Sequence, residues 1–446
     1  MKCSKTLGKL GVFFLALALL GAFFVAVPQK ARADADDPLL RVLIKKGILT
    51  PEEAAQIRAE VEQMKAKERK EVVEEVAKKS GPLPKALKGL KISGLGYIHY
   101  DIGVKPESGD REDSFNRFTL GRGYLTVKKQ INDWLAARIT SDITRKADGD
   151  WEYRLKYLYA EFKPHDVGIF TNMKMELGQG HNPWLDFQEH VNPYRAQGTM
   201  AIERAGVFNS ADLGLSLRGN FGGKLADAKA KTGNHHYDGL YGSWQIGVYN
   251  GSGYHADEAN NNKAVEARLT FRPLPNVIPG LQISYLGMFG EGNKDYKGEK
   301  PDYMVNLGYI SLENPMYIFT AQYFRTTGNA GGSWVATNPD GSIKDELETE
   351  GYSFFGRVRM PFMPKLAVLA RYDHFDQDKD DDIAEDTSYD LFIGGLSYDI
   401  YKGNMLMAVF QTVDYDEDAG KLHKLPSPNN NLGDDYQFQL VYQLKF

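Results

Sequence analysis

Cysteine is almost absent from this chain. The one cysteine, Cys3, lies near the start among Lys2, Lys5 and Lys9. The rest of the chain therefore cannot form disulfides, thiolate metal sites, C-x-x-C-H haem attachments or cysteine nucleophiles. The motifs of serine hydrolases, zinc peptidases and phosphate-cradling loops are also missing. The sequence gives no indication of an enzyme, a cofactor or a metal.

Long apolar runs are equally scarce. One run, Val12 to Val27, follows the basic start and precedes Ala31-Arg32-Ala33, an A-x-A cleavage site. A basic start, an apolar run and a small-residue site are typical of a secretory signal peptide. The alternative is a retained anchor, because the run approaches the length that spans a bilayer. We expect residues 1–33 to be removed on export.

Basic residues are in the minority, with 54 Lys and Arg against 59 Asp and Glu. No basic patch indicates binding to nucleic acid. The mean hydropathy of −0.43 would suit a soluble protein. However, 12% of the residues are aromatic, with 25 Tyr and 23 Phe, and 45 are Gly. Membrane barrels combine low hydropathy with many aromatic residues because only alternate strand residues face lipid.

A charged segment, residues 36–80, precedes the main pattern. Thr50, Pro51 and Glu53 predict a helix start, with Thr as the N-cap and Glu at the third helical position. A narrow apolar stripe follows at Ile57, Val61 and Met64. We expect a short periplasmic coiled coil or docking helix, and a solvated linker is the alternative. Residues 81–90 form a linker, because Gly81-Pro82-Leu83-Pro84 ends the helix.

From residue 91 to residue 446, apolar and polar residues alternate with a period of two. Alternate residues of a β-strand face opposite sides of its sheet. At the C-terminus one side carries Tyr436, Phe438, Leu440, Tyr442, Leu444 and Phe446. The same reasoning places Tyr153, Leu155, Tyr157 and Tyr159 on the apolar side of another strand. These sides are predicted to face lipid.

About sixteen such segments can be counted. They lie near residues 91–102, 117–129, 133–145, 152–163, 169–178, 211–222, 239–250, 263–273, 280–290, 302–311, 315–327, 350–361, 365–376, 388–400, 403–415 and 434–446. Short and long connections alternate between them, except that Gly222 to Asp238 is long where a short turn is expected. Short turns on one rim, long loops on the other and an even strand count predict an all-β outer-membrane barrel of sixteen antiparallel strands. A large soluble β-sandwich or propeller is the alternative.

Several stretches resemble the phosphate-selective porin O/P family of outer-membrane channels. They are Arg122-Gly-Tyr-Leu-Thr-Val-Lys128, Asn132-Asp-Trp134, Gly178-Gln179, Pro183-Trp184, Asp212-Leu-Gly-Leu-Ser-Leu217 and the terminal Phe446. The resemblance covers most of residues 90–446. It implies a sixteen-stranded barrel, usually trimeric, with the third external loop folded inward and Phe446 as an assembly signal.

If the tyrosine-rich sides face lipid, the opposite sides face water in the lumen. The charged residues predicted to line it are Arg122, Arg138, Asp142, Arg154, Lys156, Glu266, Arg268, Arg272, Arg357 and Arg359. Fixed charge in a pore sets ion preference, and the excess of arginine favours anions. The alternative is that these side chains solvate the wall and pair with one another.

The third external loop, Gly180 to Ser210, is long enough to need a role. It is predicted to narrow the pore through His181, Asp186, Glu189, His190, Arg195, Glu203 and Arg204. The alternative is a loop that lies over the rim. Asp376-x-Asp378-x-Asp380 resembles the start of a calcium loop but lacks its Gly and Glu. His235-His236 has no third ligand at a suitable spacing and is interpreted as surface.

These features favour a porin in the outer membrane of a Gram-negative bacterium. We expect a homotrimer surrounded by lipid that passes small hydrophilic solutes, with a preference for anions. The alternative is a barrel that sheathes a multihaem cytochrome in an electron-transfer conduit, which a wide lumen would favour. An outer-membrane hydrolase is a third class, but no strand carries the Ser/His pair that it needs.

Overall fold

The computed structural model describes residues 87–107, 111–145, 149–422 and 435–446, with isolated positions between 46 and 67. The predicted signal peptide and most of the helical segment and linker lie outside the described residues. Among the isolated positions, the backbone N–H of Thr50 donates to Glu53 Oε2 at 2.8 Å, and that of Glu53 donates to Thr50 Oγ1 at 3.2 Å. This reciprocal pair is the capping box that the sequence predicts at the helix start.

Residues from Gly89 onward form a compact unit of their own. The described strands of this unit are β1 (Leu90–Glu107), β2 (Arg111–Gln130), β3 (Leu135–Arg145), β4 (Trp151–Phe162), β5 (Phe170–His181), β6 (Ala211–Phe221), β7 (Gly242–Tyr249), β8 (Ala264–Phe271), β9 (Leu281–Glu291), β10 (Asp302–Glu313), β11 (Tyr317–Thr327), β12 (Val335–Thr337), β13 (Ile343–Glu346), β14 (Glu348–Met360), β15 (Met363–Asp376), β16 (Ser388–Tyr401), β17 (Asn404–Tyr415) and β18 (Asp435–Lys445). Sixteen of them pair antiparallel in chain order, and β1 pairs with β18 to close a barrel. The predicted fold class is therefore confirmed. The short strands β12 and β13 form a separate hairpin in the long connection between β11 and β14.

The two sides of each strand differ as the alternation predicts. On β8 the outward Val265, Leu269 and Phe271 are 43%, 57% and 55% exposed, whereas the inward Arg268 is fully buried. An outward apolar surface on a closed barrel is suited to lipid, because closure leaves no strand edge unpaired in the hydrocarbon. The protein is thus an outer-membrane protein of a Gram-negative bacterium.

The barrel has a turn rim, where the short connections lie, and a loop rim, where the long ones lie. By the convention of outer-membrane barrels, the turn rim faces the periplasm. At the loop rim β1 continues to Glu107 and β2 begins at Arg111, so both strands are longer than the sequence predicts. The period-two pattern weakens there because both sides of a strand beyond the membrane are polar.

In β4 a bulge reverses the order in which side chains point inward and outward. Thr140 on β3 pairs with Tyr157, while its neighbour Ser141 pairs with Leu155, which leaves Lys156 as an extra residue. Each side chain after a bulge lies on the side opposite to the one that strict alternation predicts. Tyr157 and Tyr159 therefore point into the lumen, where they are 7% and 4% exposed. The prediction that these two tyrosines face lipid was wrong.

The helices among the described barrel residues are short and lie in connections. They are α1 (Leu185–Val191), a 3-10 turn (Arg195–Gln197), α2 (Ala201–Ala205), α3 (Ala228–Thr232) and α4 (Ala419–Leu422). None of the helices in the described part of the chain combines the length and apolar character needed to cross a membrane. Before α1, Asn182 Oδ1 accepts hydrogen bonds from the N–H groups of Trp184 and Leu185 at 3.0 and 2.9 Å, which orients the helix start.

Candidate functional site

The third external loop lies inside the barrel. We call its residues 182–210, which connect β5 to β6, the inner loop. Trp184 is fully buried and meets the ring of Tyr309 on β10 edge-on, with centroids 5.2 Å apart. Further along, Ser397 Oγ on β16 donates to Tyr194 OH at 3.1 Å. The inner loop therefore crosses the lumen from its own strands to the opposite wall, and does not lie over the rim.

The opposite wall is unusually apolar on its inward side. Buried inward residues of β9 to β17 include Leu286, Met288, Val305, Leu307, Phe355, Leu369, Ile393, Met407 and Val409. Together with Trp184, Phe187 and Ile202 of the inner loop they form one hydrophobic cluster. Fully burying one side chain of this size contributes roughly 1.5–3 kcal/mol. The inner loop is thus held against β9 to β17 by a core of its own, which leaves the lumen next to β1–β6 less filled.

Several charged side chains of the inner loop pair with one another or bond to the barrel wall. The guanidinium of Arg195 lies 2.7 Å from Glu189 Oε1 and donates to Glu203 Oε1 at 3.0 Å. Burial raises the pKa of Glu189, although Arg195 and Lys156 act in the opposite direction. Arg204 donates to Gln411 on β17 at 3.2 Å. These side chains brace the loop.

Asp186 on α1 is the most connected acid of the inner loop. Its carboxylate accepts a hydrogen bond from Tyr237 OH at 2.5 Å and lies 3.5 Å from Arg218, 3.6 Å from His181 and 3.7 Å from His190. Burial alone would raise the pKa of Asp186, but the two histidines and Arg218 hold that pKa well below its usual value. Asp186 is therefore an ionised anchor that joins the inner loop to β6.

A second segment also enters the lumen, from the turn rim. Residues 222–241, which connect β6 to β7, form what we call the strap. This is the connection whose length breaks the alternation in the sequence. Asn234 Nδ2 in the strap donates to the carbonyl of His190 and to Glu313 Oε1 on β10, both at 2.9 Å. The strap thus reaches strands well beyond its own and contacts the end of α1.

Cavities remain beside these two segments. Two that adjoin, of about 430 and 220 Å³, share Lys128, Arg138, Glu161 and Lys174, and we call them together the first cavity. The cations that line it are Lys91, Lys128, Lys129, Arg138, Lys163, Lys174, Arg218 and Lys224, and the acids are Glu161, Asp186 and Asp238. Several of these cations lie directly opposite one another: Lys91 and Lys128, Lys128 and Arg138, Lys174 and Arg218. The first cavity is strongly basic.

The second cavity, of about 420 Å³, lies on the other side of the strap histidines. It is lined by Arg195, Lys229, Arg357, Arg359 and Lys445, and by the acids Glu189 and Glu313. Arg357 is 4% exposed and donates to the carbonyl of Pro315 at 3.1 Å. Arg359 is ion-paired with Asp399 at 2.5 Å. Both arginines face inward, with their charges partly engaged by the wall.

Four of the other residues predicted to line the pore are engaged in contacts within the barrel. Arg122 and Arg154 both bind the same carboxylate oxygen of Asp142, at 2.8 and 2.9 Å. Lys156, at the bulge, is buried with its ammonium 3.4 Å from Tyr124 OH. This agrees with the bracing alternative for these positions.

Two arginines of β8 and its following turn hold the inserted segments. Arg268 is fully buried, donates to the carbonyl of Pro183 at 2.9 Å, and lies over the ring of Phe187 at 4.3 Å. Arg272 donates to the carbonyl of Gly239 in the strap at 3.2 Å. Among the predicted set, Arg138, Arg357 and Arg359 line the cavities described above.

Sequence reasoning missed seven of the eight cations of the first cavity. The residues that were not among the predicted pore residues are Lys91, Lys128, Lys129, Lys163, Lys174, Arg218 and Lys224. Strict alternation from Arg122 places Lys128 on the inward side. The strap histidines were interpreted as surface, and both are exposed, but they are exposed to the lumen. The ring of His236 lies against that of His190, with ring centroids 3.9 Å apart.

The calcium-like stretch closes its own loop. Both carboxylate oxygens of Asp378 accept backbone hydrogen bonds, from Asp382 at 3.0 Å and from Ile383 and Ala384 at 2.7 and 3.0 Å. Within the described residues, no group of three His, Cys, Asp or Glu side chains is arranged to hold a metal ion.

Comparison with known proteins identifies the fold. No protein-family model and no curated protein matches the chain. An anion-selective porin from Comamonas acidovorans aligns with a TM-score of 0.51 at 13% identity, covering 80% of this chain and 100% of the porin. OmpF from Salmonella typhi, solved in complex with daunomycin, aligns with a TM-score of 0.51 at 13% identity, covering 80% and 97%. The chain is similar in fold to these outer-membrane porins, and membership of the phosphate-selective family stays a prediction.

Proposed function

We propose that this chain is a porin that passes small hydrophilic solutes across the outer membrane with a preference for anions. The observation that carries this proposal is the asymmetry of the lumen. The inner loop fills the side next to β9–β17 through apolar contacts, whereas the first cavity, next to β1–β6, is lined by eight cations and three acids. A hydrated path next to β1–β6 therefore runs past mostly cationic side chains.

The physical basis is the field inside a narrow, low-dielectric wall. Such walls focus field lines, so an excess of fixed positive charge raises the local concentration of anions. Directly opposite cations such as Lys128 and Arg138 add their potentials, because opposed residues on neighbouring strands are roughly 5 Å apart. Lys174 and Arg218 are compensated more fully, because Glu161 lies 3.3 Å from Lys174 and Glu176 lies 2.9 Å from Arg218.

The sheath alternative requires an open lumen that a multihaem cytochrome can occupy. The inner loop crosses that space and the strap enters it from the turn rim. The arrangement therefore favours a diffusion channel over a sheath. The homotrimer and the periplasmic seam of Ile57, Val61 and Met64 remain part of the proposal. Replacing the three seam residues with Asp is expected to lower the oligomer mass in native mass spectrometry, and an unchanged mass would remove the seam from the proposal.

The test is ion selectivity in a planar bilayer under a KCl gradient. The double variant Lys128→Glu/Lys174→Glu is expected to shift the reversal potential toward cations. The shift should shrink at 1 M salt, where the Debye length is about 3 Å, compared with about 10 Å at 0.1 M. The control is Lys297→Glu/Lys344→Glu, which makes the same charge change at exposed positions of the loop rim. Unchanged selectivity of the first variant at 0.1 M salt would overturn the anion preference.

A further inference from the structure

The strap has a fixed structure and is not an unstructured connection. At its base Lys224 and Gly239 form an antiparallel bridge, and the N–H of Leu225 donates to the carbonyl of Asp238 at 2.7 Å. In the middle, Thr232 Oγ1 at the end of α3 donates to the carbonyl of Ala228 at 2.9 Å. An ordered base and an ordered middle allow the strap to move as a unit about its two ends.

The strap is fastened to α1 by three side chains in succession. Asn234 donates to the carbonyl of His190, the ring of His236 lies against that of His190, and Tyr237 OH donates to Asp186. The ring of Tyr237 also meets Phe187 edge-on at 5.2 Å. The strap enters from the turn rim and the inner loop from the loop rim, so these contacts join the two ends of the barrel across the lumen.

Three imidazoles lie together at this junction. The ring centroids of His190 and His236 are 3.9 Å apart, and those of His236 and His235 are 4.2 Å apart. All three rings line both the first and the second cavity, so they separate the two. The three rings thus form a shared boundary past which a solute can move from one cavity to the other.

The charged groups around the imidazoles are mostly cationic. From the first cavity they face Arg138, Lys128, Lys174, Arg218 and Lys224 against Asp186, Glu161 and Asp238, with His181 beside Asp186. From the second they face Lys229, Arg195, Arg357, Arg359 and Lys445 against Glu189 and Glu313. Asp186 has its own partners in Arg218 and Tyr237, and Glu189 is paired with Arg195. Asp186 lies 3.7 Å from His190 and faces that ring, so additional positive charge on His236 finds little compensation.

We propose that the strap is a periplasmic gate of this channel, latched to α1 by the contact of His236 with His190 and released when His236 becomes protonated. The inference rests on the proposed channel function. In the closed state the three rings separate the two cavities. In the released state repulsion between protonated His236 and the cations around it moves the strap away from α1 and joins the cavities.

The direction of the pH effect follows from the closed contact. Burial, together with His190 and His235, lowers the pKa of His236 to about 3 in the latched strap. A free imidazole titrates at about 6.5. The latched state is therefore fully favoured above about pH 6.5 and loses stability as the pH falls from there toward 3. The ring of His236 is exposed to the lumen, so solvent screening weakens this effect. Protonation of this one ring therefore lowers the ratio of latched to released strap by at most about thirtyfold between pH 7.5 and pH 5.

The experiment measures single-channel conductance and open probability in a planar bilayer at pH 7.5 and pH 5. The wild-type protein is expected to open more at pH 5. His236→Phe keeps a flat ring against His190 but cannot be protonated, so its conductance should no longer depend on pH. His165→Phe makes the same change at an exposed turn residue and should keep the wild-type response. A pH response that persists in His236→Phe would overturn the latch.

A crosslink tests the movement itself. Asn234 and Glu313 are in hydrogen-bond contact, so Asn234→Cys/Glu313→Cys in a Cys3→Ser background places two thiols between strap and barrel wall. With the disulfide shown by mass spectrometry, the channel should stay in its neutral-pH state at pH 5, and reduction should restore opening. Opening of the oxidised form at pH 5 would overturn the gate. A protein without conductance at either pH would instead contradict the channel function.

Discussion

Lys128 on β2 lies directly opposite Arg138 on β3, and both side chains face the first cavity. Like charges in directly opposed positions of a sheet destabilise it. Lys91 continues the row on β1, so the barrel holds three cations in register on neighbouring strands. The electrostatic repulsion among these three cations falls when an anion occupies the cavity.

The first prediction concerns that cost. Lys128→Gln removes the central charge of the row and should raise the free energy of unfolding at low salt by about 0.2–1 kcal/mol. The gain should vanish at 1 M salt, because screening already suppresses the repulsion there. Urea unfolding at the two salt concentrations measures it. Lys297→Gln, which removes a cation 3.4 Å from Asp340, should give no gain. Equal effects of the two variants would show that the row is not under repulsion.

The second prediction concerns the second cavity. Arg357→Glu/Arg359→Glu should shift the reversal potential toward cations, but less than Lys128→Glu/Lys174→Glu does. The reason is that Arg359 is already paired with Asp399 and Arg357 is fastened to the carbonyl of Pro315. Reversal potentials at 0.1 M KCl compare the two variants. A larger shift from the arginines would place the selectivity filter in the second cavity.

The third prediction concerns the anchor of the inner loop. Trp184→Ala should cost about 3–5 kcal/mol, the usual loss for a fully buried aromatic side chain. Its indole Nε1 also loses the hydrogen bond to Gln188 at 2.9 Å. Urea unfolding measures the loss, and a noisier, larger single-channel conductance should accompany it. Trp134→Ala, at a residue that is 54% exposed, is the matched control and should change neither property.

The fourth prediction concerns Arg195. Arg195→Met leaves Glu189 and Glu203 without their shared cation, which should cost about 3–5 kcal/mol at neutral pH. Burial already raises the pKa of Glu189 in the folded protein, and loss of Arg195 raises that pKa further. Since a raised folded-state pKa stabilises at low pH and loses its effect as pH rises through it, the variant should be more stable at pH 5 than at pH 8.

The control for Arg195 is the triple variant Arg195→Met/Glu189→Gln/Glu203→Gln. It has no acid left to titrate at this position, so the added pH dependence should disappear. Thermal unfolding at pH 5 and pH 8 measures all three proteins. A single variant that is more stable at pH 8 than at pH 5 would contradict the assignment of Arg195 as the partner of the two acids.

The fifth prediction concerns closure of the barrel. The backbone of Phe446 exchanges hydrogen bonds with Gly94 on β1 at 3.0 and 3.1 Å, and its ring covers that glycine so closely that a Cβ would overlap it. Deleting Phe446, or making Gly94→Val, should lower the amount of heat-modifiable folded barrel in the outer membrane. Phe118→Ala removes another outward ring, which is 80% exposed and lies away from the junction of β1 with β18. This variant should leave the amount of folded barrel unchanged. A normal amount of folded barrel in the Phe446 deletion would show that β1 and β18 pair without this residue.

The strand pattern was predictable because lipid and lumen impose opposite demands on alternate residues. Each of the sixteen predicted segments corresponds to one strand of the barrel. The prediction of which residues face lipid fails after Lys156. One inserted residue there exchanges the inward and outward positions without altering the composition of the strand. The alternation also does not predict that the apolar residues Leu286 and Met288 face inward, because the inner loop that covers them lies some hundred residues earlier in the chain.

The lumen was predictable only in part, for a related reason. The unusual length of residues 222–238 is visible in the sequence, but the destination of that segment depends on α1, which belongs to another connection. The same holds for His235 and His236, whose neighbour His190 is more than forty residues away. Periodicity describes a strand and its two surroundings, and it contains no information on which connections meet inside a closed barrel.

The position of the inner loop also bears on the order in which this protein acquires its structure. The loop leaves β5, yet its contacts include Ser397 and Gln411, some two hundred residues later in the chain. Its apolar surface therefore stays uncovered until strands from the other end of the chain have joined the sheet, and contacts of such long separation form slowly. During that interval Tyr194, whose partners are Phe355 and Ser397, is open to misassembly. Maturation of this barrel thus depends on a late internal docking step that a barrel with an empty interior does not have.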